Sequence, residues 1–191
     1  MQRSRKALRQ ALLALVEEKS YEQISVREIA TRAGLSFPTF YRQFPTKEAL
    51  MDDIAAEEIR ELLAITLPLM DQRDTQVSSL AICNFVMERK TLWRTLLTTG
   101  ATATLREEFI ARAREIGLSH PRMNPGLPLD LMSAFVVGGI FEILSWWLRQ
   151  SVFIPGETIA QLLDTLVLKP SAQRLKIEFP AGLSSCNLEQ N

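Results

Sequence analysis

Residues 25–47 of this 191-residue chain contain the signals for two short helices joined by a tight turn. Ser25 and Glu28 have the spacing of a capping box, which predicts that a helix begins immediately after Ser25. Gly34 is expected to end this helix, because glycine tolerates the left-handed backbone that closes a helix. Ser36 is placed to cap a second helix, which ends before a proline. The segment is therefore predicted to be a helix-turn-helix.

The second helix carries four aromatic residues, and their spacing leaves their roles partly open. A helix of about eight residues does not persist alone and must be held by packing. Phe40 and Phe44 are four residues apart and share a face, so we expect them to hold the helix against its domain. Phe37 and Tyr41 lie close to the same stripe, and spacing alone allows all four rings to be core. The polar side chains pointing away from this stripe are candidates for contact with DNA: Thr39, Arg42 and Gln43.

This region resembles the N-terminal domain of the TetR/AcrR family of bacterial transcription regulators. The resemblance covers residues 5–52 and rests on four runs: Ser25–Ala30, Ala33–Ser36, Thr39–Phe44 and Lys47–Leu50. It implies a dimeric DNA-binding protein with an all-helical domain for ligand sensing and dimerisation, and it implies that Tyr41 faces the DNA backbone. The DNA contacts of the family, carried to this chain, fall on Arg27, Phe37, Pro38, Thr39, Tyr41, Arg42, Gln43 and Lys47.

Phe37 departs from the family pattern, because relatives often have a basic or polar residue at this position. Its phenyl ring can meet the methyl group of a thymine in the major groove, or it can pack in the core of the domain. The sequence leaves both alternatives open.

Positive charge is concentrated at the N-terminal end of a chain that is neutral as a whole. Residues 1–50 carry nine Lys and Arg against five Asp and Glu, whereas residues 51–191 carry thirteen against seventeen. Lys47 and the basic start of the first helix oppose the helix dipole, which favours anions at those positions. We therefore predict phosphate contacts there, with a solvated charged end as the alternative. The basic residues of the first helix are Arg3, Arg5, Lys6 and Arg9.

Apolar periodicity predicts an all-α chain with a three-helix N-terminal domain and a C-terminal helical bundle. The predicted domains are residues 1–50 and 51–168, joined by a fourth helix that is expected to break at Pro68. Residues 71–76 and 117–128 are polar or rich in proline and glycine, so we predict connections there. The predicted helices of the body span residues 77–89, 92–97, 102–116, 129–150 and 157–168. Residues 169–191 are predicted to be a loose tail, or a short extended segment through Leu175, Ile177 and Phe179.

Residues 131–148 carry a single charge, Glu142, and 18 residues come close to the length of a membrane span. A central glutamate would make insertion costly, and a helix buried on most sides within a bundle explains the same pattern. We therefore predict no membrane contact.

The two cysteines, Cys83 and Cys186, lack the spacing of a metal or redox motif. This usage suits a reducing cytoplasm, where we expect the protein to reside.

The last two predicted helices are apolar and joined by a short turn, which predicts an antiparallel hairpin. Paired with a twofold copy, such a hairpin would form a four-helix interface, and the resemblance implies the same use. Gly138 and Gly139 would let another helix approach closely. The alternative is a hairpin buried within one chain. The residues predicted for the dimer interface are Val136, Gly139, Ile143, Trp147, Leu162, Leu163 and Leu166.

Aromatic residues are frequent in the body, and ligand pockets in helical bundles are apolar with a few polar groups. Glu142 would favour a cationic ligand if its side chain points inward. The alternative is that the aromatic residues only pack in the core and that Glu142 lies at the surface or at an interface. The candidate pocket residues are Phe85, Trp93, Phe109, Phe135, Glu142 and Trp146.

No catalytic, cofactor or metal site is expected, because the single histidine, His120, lies in a proline-rich loop.

These patterns and the resemblance together predict a homodimeric, ligand-responsive regulator that binds a palindromic operator in double-stranded DNA. That it represses rather than activates is implied by the resemblance alone. The third helix would enter the major groove, supported by Arg27. A small molecule bound in the body would displace the two DNA-binding domains through the fourth helix. The alternative is a protein-interaction module that uses the same scaffold with a partner protein.

Overall fold

The computed structural model describes residues 2–71, 74–98, 101–119 and 128–173. Within these ranges the chain forms helices and turns without any strand, so the predicted all-α class is confirmed. The first four helices are α1 (Gln2–Glu18), α2 (Val26–Arg32), α3 (Phe37–Gln43) and α4 (Lys47–Asp71), with a 3-10 turn at Tyr21–Gln23. The remaining helices are α5 (Thr75–Glu88), α6 (Lys90–Thr98), α7 (Ala101–Ser119), α8 (Leu129–Arg149), α9 (Gly156–Leu163) and α10 (Lys169–Ala172).

Two local signals in the N-terminal domain, the capping box and the glycine turn, act as predicted. The capping box is complete, since the Glu28 amide donates to Ser25 Oγ at 3.3 Å and the Ser25 amide donates to Glu28 Oε2 at 2.9 Å. Gly34 closes α2 with a φ of +65°. Thr46 caps α4, because its Oγ1 accepts from the Ala49 amide at 3.0 Å. The helices enclose one apolar core whose members include Leu8, Leu12, Ile24, Ile29, Phe40, Phe44 and Leu50.

The prediction that the fourth helix breaks at Pro68 is wrong, because α4 continues through this proline to Asp71. With 25 residues it is about 37 Å long. Proline removes one backbone hydrogen bond and crowds the preceding turn. Here that cost falls in the last turn of the helix, after Ile59 and Leu62 are already buried against the body. Packing of α4 on α5 and α7 therefore outweighs a local preference to stop.

Helices α5, α6 and α7 start one or two residues earlier than their periodicity predicts, whereas α8 begins at the predicted residue and ends one residue earlier. The Asp74 carboxylate accepts from the Val77 amide at 3.1 Å, so α5 begins at Thr75, within the predicted connection. Helix α6 starts at Lys90, and α7 extends to Ser119, so residues 117–119 are helical rather than loop. His120 and the rest of the predicted loop through residue 127 lie outside the described residues.

Helix α9 is followed by a π-helical segment, Asp164–Leu168, and then by α10. The chain therefore stays helical through Ala172, beyond the predicted start of the tail. Residues 174–191 lie outside the described residues, and with them the predicted extended segment through Leu175, Ile177 and Phe179, and Cys186. Cys83 is buried in α5.

Helix α8 is the one helix in the described ranges that is long and apolar enough to cross a membrane. The core helix of a soluble bundle passes the same test of length and composition. In this protein α8 packs on α6, α7 and α9. Its buried residues include Val137, Ile140, Phe141, Leu144, Trp147 and Leu148.

Gly139 allows a close approach between α8 and the π-helical segment of the same chain. A Cβ at this position would lie 2.8 Å from Val167 Cγ2 and 3.2 Å from Val167 Cγ1. The close approach predicted for Gly138 and Gly139 is therefore confirmed at Gly139, but the approaching helix belongs to the same protomer. Gly139 is half-buried, and its assignment to the dimer interface stays a prediction.

We expect Gly139→Ala to lower the free energy of unfolding by about 1–3 kcal/mol, because the new methyl group collides with a branched side chain that has little rotamer freedom. Gly138→Ala is the matched control. Its Cβ would lie 3.0 Å from the end of the flexible Arg106 side chain, so the helix preference for alanine should raise stability by about 0.5–1 kcal/mol. Urea unfolding at a fixed protein concentration measures both. Equal stabilities for the two variants would contradict the proposed clash.

Candidate nucleic-acid interface

Helix α3 buries two of its aromatic rings and presents the other two to solvent. Phe40 and Phe44 lie in the core, as predicted. Phe37 and Tyr41 are 44% and 48% exposed, so packing of all four rings in the core is excluded. The rings of Phe37 and Tyr41 meet edge to face, with centroids 5.1 Å apart and planes 77° apart. The outer face of α3 thus carries an ordered aromatic pair.

A chain of polar side chains lies beside this pair. The hydroxyl groups of Ser36 and Thr39 share a hydrogen bond of 2.8 Å, and Arg42 Nη2 donates to Thr39 Oγ1 at 2.8 Å. Ser36 precedes α3, but its side chain binds Thr39 and does not cap the helix as predicted. Sequence reasoning did not include Ser36 among the site residues. Its spacing of three from Thr39 is the signal that could have found it.

Lys47 holds the domain together at the start of α4. Its ammonium donates to the carbonyl oxygens of Tyr21 and Ile24, each at 2.9 Å, and lies 4.1 Å from the centroid of the Tyr21 ring. Two of the three N–H donors of Lys47 are therefore engaged within the domain, and at most one remains for a phosphate. The unfavourable position of a lysine at a helix N-terminus has an intramolecular explanation here.

The basic start of α1 is divided between internal and outward-facing residues. Arg5 and Arg9 donate to the Asp53 carboxylate at 2.8 Å and 2.5 Å, and Arg9 also reaches Glu57 at 3.3 Å. Burial raises the pKa of Asp53, but the hydrogen bonds from Arg9 and Arg5 outweigh it and hold the pKa below its ordinary value. These two arginines thus join α1 to α4. The exposed basic residues of this segment are Arg3, Arg5 and Lys6, whereas Arg9 is half-buried.

The other residues predicted to contact DNA differ in exposure. Pro38 and Arg42 are exposed on the same arc of α3 as the aromatic pair, and Arg27 is exposed on the first turn of α2. Thr39 and Gln43 are half-buried. The structure therefore gathers Phe37, Pro38, Tyr41 and Arg42 on one outward surface, which we call the reading face.

The six candidate pocket residues fall into two groups: three are buried, and their assignment to a pocket stays a prediction, whereas the other three are exposed and do not face the interior of the protomer. Phe85, Trp93 and Phe109 are buried core residues. Phe135 and Trp146 are 59% and 44% exposed, and Glu142 is also exposed. The last three lie on the outer side of α8, because spacings of seven and eleven residues return to the same face of a helix. Glu142 therefore does not point into the bundle.

The residues predicted for the dimer interface also differ in their burial within the protomer. Leu163 and Trp147 are buried within the protomer, and Trp147 Nε1 donates to the Ile154 carbonyl at 3.1 Å, so these two assignments are wrong. Leu166 is exposed, and the half-buried members are Val136, Gly139, Ile143 and Leu162. The exposed apolar side chains of α8 instead include Leu131, which was not predicted, and the two aromatics assigned to the pocket.

A buried polar contact fastens α4 to the body, and sequence reasoning missed it. Trp93 Nε1 donates to Glu58 Oε2 at 3.1 Å in a buried setting, and Arg89 Nε lies 3.7 Å from the same oxygen. The Arg89 guanidinium lies 4.1 Å from the centroid of the Phe85 ring and also approaches Glu61 at 3.4 Å. A signal was present, since Glu58 interrupts the apolar spacing of four on α4.

Burial raises the pKa of Glu58, although Arg89 and Trp93 act in the opposite direction and Glu61 and Glu57 add to the rise. A carboxyl group with a raised pKa in the folded state stabilises the fold below its unfolded pKa, and this contribution is lost as the pH rises through the folded value. The neutral variant Glu58→Gln removes this loss while retaining an oxygen that accepts from Trp93. Relative to wild type, the variant should therefore gain stability as the pH increases from 4.5 to 7. Urea unfolding across this range measures the difference, and a relative loss with increasing pH would contradict the raised pKa.

A capped helix, a glycine turn and a second helix with an aromatic and basic outer face define the helix-turn-helix class of proteins. Residues 8–54 match the family model described as "Bacterial regulatory proteins, tetR family". Over these 47 residues the chain is similar to the tetR family of bacterial regulatory proteins.

Two curated relatives match different lengths of the chain. It is 35% identical over 81 residues to the HTH-type transcriptional regulator EthR of Mycobacterium tuberculosis strain H37Rv, covering 42% of this chain and 32% of EthR. It is 22% identical over 170 residues to YxbF of Bacillus subtilis strain 168, an uncharacterized HTH-type transcriptional regulator, covering 84% of this chain and 43% of YxbF. The chain thus spans less than half the length of these relatives.

Solved structures share the fold over nearly the whole chain. RolR, in complex with resorcinol, has a TM-score of 0.64 and 19% identity, covering 93% of this chain and 96% of RolR. Thermus thermophilus FadR, a transcriptional repressor in complex with lauroyl-CoA, has a TM-score of 0.64 and 20% identity, covering 93% of this chain and 98% of FadR. At these identities the likeness concerns the fold.

Proposed function

We propose that the protein is a transcriptional repressor that binds a palindromic operator in double-stranded DNA as a homodimer. The observation that carries this proposal is the reading face, where Phe40 and Phe44 anchor α3 from behind while Tyr41 and Arg42 face outward. In helix-turn-helix proteins the second helix enters the major groove, and flanking side chains position it on the phosphates. Arg27 and Lys47, with its remaining N–H, are the proposed flanking contacts.

The outer side of α8, which is apolar apart from Glu142, supports the homodimer. Leu131, Phe135 and Trp146 are exposed on one stripe of this helix, and Leu166 is exposed on the adjoining π-helical segment. An apolar stripe of this kind is typical of an interaction surface. Pairing it with its twofold copy would place two reading faces on one side of a duplex, spaced for the two halves of a palindrome.

We also propose that a small molecule regulates DNA binding from the body, and that the protein acts in the cytoplasm. RolR and FadR contain resorcinol and lauroyl-CoA, respectively, in related folds. In this chain α4 begins in the DNA-binding domain and is fastened to α5 and α6 through Glu58. A ligand that prefers one arrangement of the body would shift the position of α4, and with it the reading face.

The test is selection of fragments of the source genome by the purified protein at two salt concentrations. We expect enrichment of a short inverted repeat, with affinity that decreases as salt increases because bound phosphates release counterions. Tyr41→Ala is the matched control, since its side chain is about half exposed and its loss should leave the domain folded. This variant should lose the enrichment while keeping its unfolding midpoint.

Two results would count against the proposal. Retention of no specific sequence, after removal of any bound small molecule by refolding, would contradict DNA binding and favour a protein-interaction module. Enrichment of a sequence without an inverted repeat would contradict the twofold arrangement. Sedimentation of the wild type and of Trp146→Asp then tests the dimer, since a charge in the apolar stripe should favour monomers.

A further inference from the structure

Phe37 is a large apolar side chain on a surface whose other prominent features are polar or cationic. It is the first residue of α3 and is 44% exposed, so it contributes little to the core. Arg42, one of its neighbours on the reading face, is exposed, and the N-terminal 50 residues carry more basic than acidic side chains. These positive charges favour binding of a polyanion to this surface. Burial of the phenyl ring in the complex requires an apolar group on that polyanion.

The Phe37 ring is held in place by a series of aromatic contacts. It meets the Tyr41 ring edge to face at 5.1 Å, and Tyr41 meets the buried Phe40 ring at 5.4 Å, again with planes 77° apart. Pro38 restricts the backbone at the same turn. A side chain ordered before binding loses less conformational entropy when it meets its target. The Phe37 ring is therefore preorganised to contact its target at a defined position.

The chemistry of the major groove limits what Phe37 can recognise there. A phenyl ring has no hydrogen-bond donor or strong acceptor, so it cannot satisfy the polar edges of guanine or adenine, and covering those edges would cost free energy. Thymine alone presents a methyl group in this groove. Given the proposed function, we infer that Phe37 is a specificity-determining residue that selects thymine, through its 5-methyl group, at one position in each operator half-site.

The test removes only this methyl group. In the operator recovered from genomic selection, each thymine is replaced in turn by deoxyuridine, and the Kd for the wild-type protein is measured. We expect one position in each half-site where the change weakens binding by about three- to tenfold, as burial of a single methyl group requires. Replacement of that thymine by cytosine should weaken binding as well, and 5-methylcytosine should recover part of the loss.

Variants assign the effect to Phe37. Phe37→Ala should bind the thymine and deoxyuridine operators equally, and Phe37→Leu should retain part of the preference. Gln10→Ala is the control: Gln10 is exposed on α1 and is not among the residues predicted to contact DNA, so this variant should keep the full preference. Wild-type binding that is indifferent to every deoxyuridine would overturn the inference, as would a Phe37→Ala variant that still discriminates. Both results leave operator binding intact, whereas absence of any specific DNA from the wild type rejects the proposed function and this inference together.

Discussion

Replacement of Phe40 by alanine is expected to lower the free energy of unfolding by about 3–5 kcal/mol, the usual cost of deleting a buried aromatic side chain. Phe40 is fully buried at the centre of the N-terminal core and contacts the ring of Phe44 at a centroid distance of 6.2 Å. Because α3 has only seven residues, it depends on this packing for its structure. Loss of Phe40 should therefore remove DNA binding by releasing α3. Urea unfolding and DNA titration on the same preparation measure both effects.

Phe37→Ala is the matched control for Phe40→Ala, because it removes the same ring from the same helix at an exposed position. Its stability should stay within about 0.5 kcal/mol of the wild type, as for most surface substitutions. Any loss of DNA affinity in this variant then arises from the missing contact and not from unfolding. Similar stability losses for the two variants would show that Phe37 has a structural role that its exposure does not indicate.

The second large effect is expected at Trp93, where alanine should lower the free energy of unfolding by about 3–5 kcal/mol. Trp93 is buried, its ring meets Phe85 at 6.1 Å, and its N–H donates to Glu58. The substitution leaves a cavity and also deprives a buried carboxyl group of a donor. The loss should appear in urea unfolding followed by circular dichroism at a fixed protein concentration.

Trp93→Phe separates the two contributions to this loss. It retains most of the buried ring but removes the donor to Glu58, so we expect a smaller decrease of about 1–3 kcal/mol. Combining it with Glu58→Gln should recover little, because the glutamine oxygen also lacks its donor. If Trp93→Phe were as unstable as Trp93→Ala, the hydrogen bond and not the packing would dominate, contrary to this expectation.

Local signals predicted the helix-turn-helix with few errors. The caps and the turn formed by Ser25, Gly34 and Thr46 involve residues at most four positions away, so they can be predicted from the sequence. The alternation of apolar and polar residues at helical spacing likewise predicted an all-α chain. Ser36 and Pro68 are the exceptions among local signals. Ser36 bonds to Thr39 instead of capping α3, and packing of α4 against the body carries the helix past Pro68.

The faces of α8 show why candidate sites in the body were assigned incorrectly. This helix is apolar on nearly all sides, so its periodicity does not tell which side meets the core. Trp146 and Trp147 are adjacent in sequence, yet Trp146 is exposed and Trp147 is buried. The assignment of Trp147 to the dimer interface and of Trp146 to the pocket reversed these roles.

The sequence by itself determined the helical class and the boundaries of α2 and α3, because these depend on contacts within one or two turns of helix. Only the tertiary structure decided which charges and rings face outward. Arg9 is paired with Asp53, which lies 44 residues further along the chain, and Lys47 donates to carbonyl groups more than 20 residues before it. Such partners are set by the packing of α1, the 3-10 turn and α4 against one another, and no local spacing encodes them.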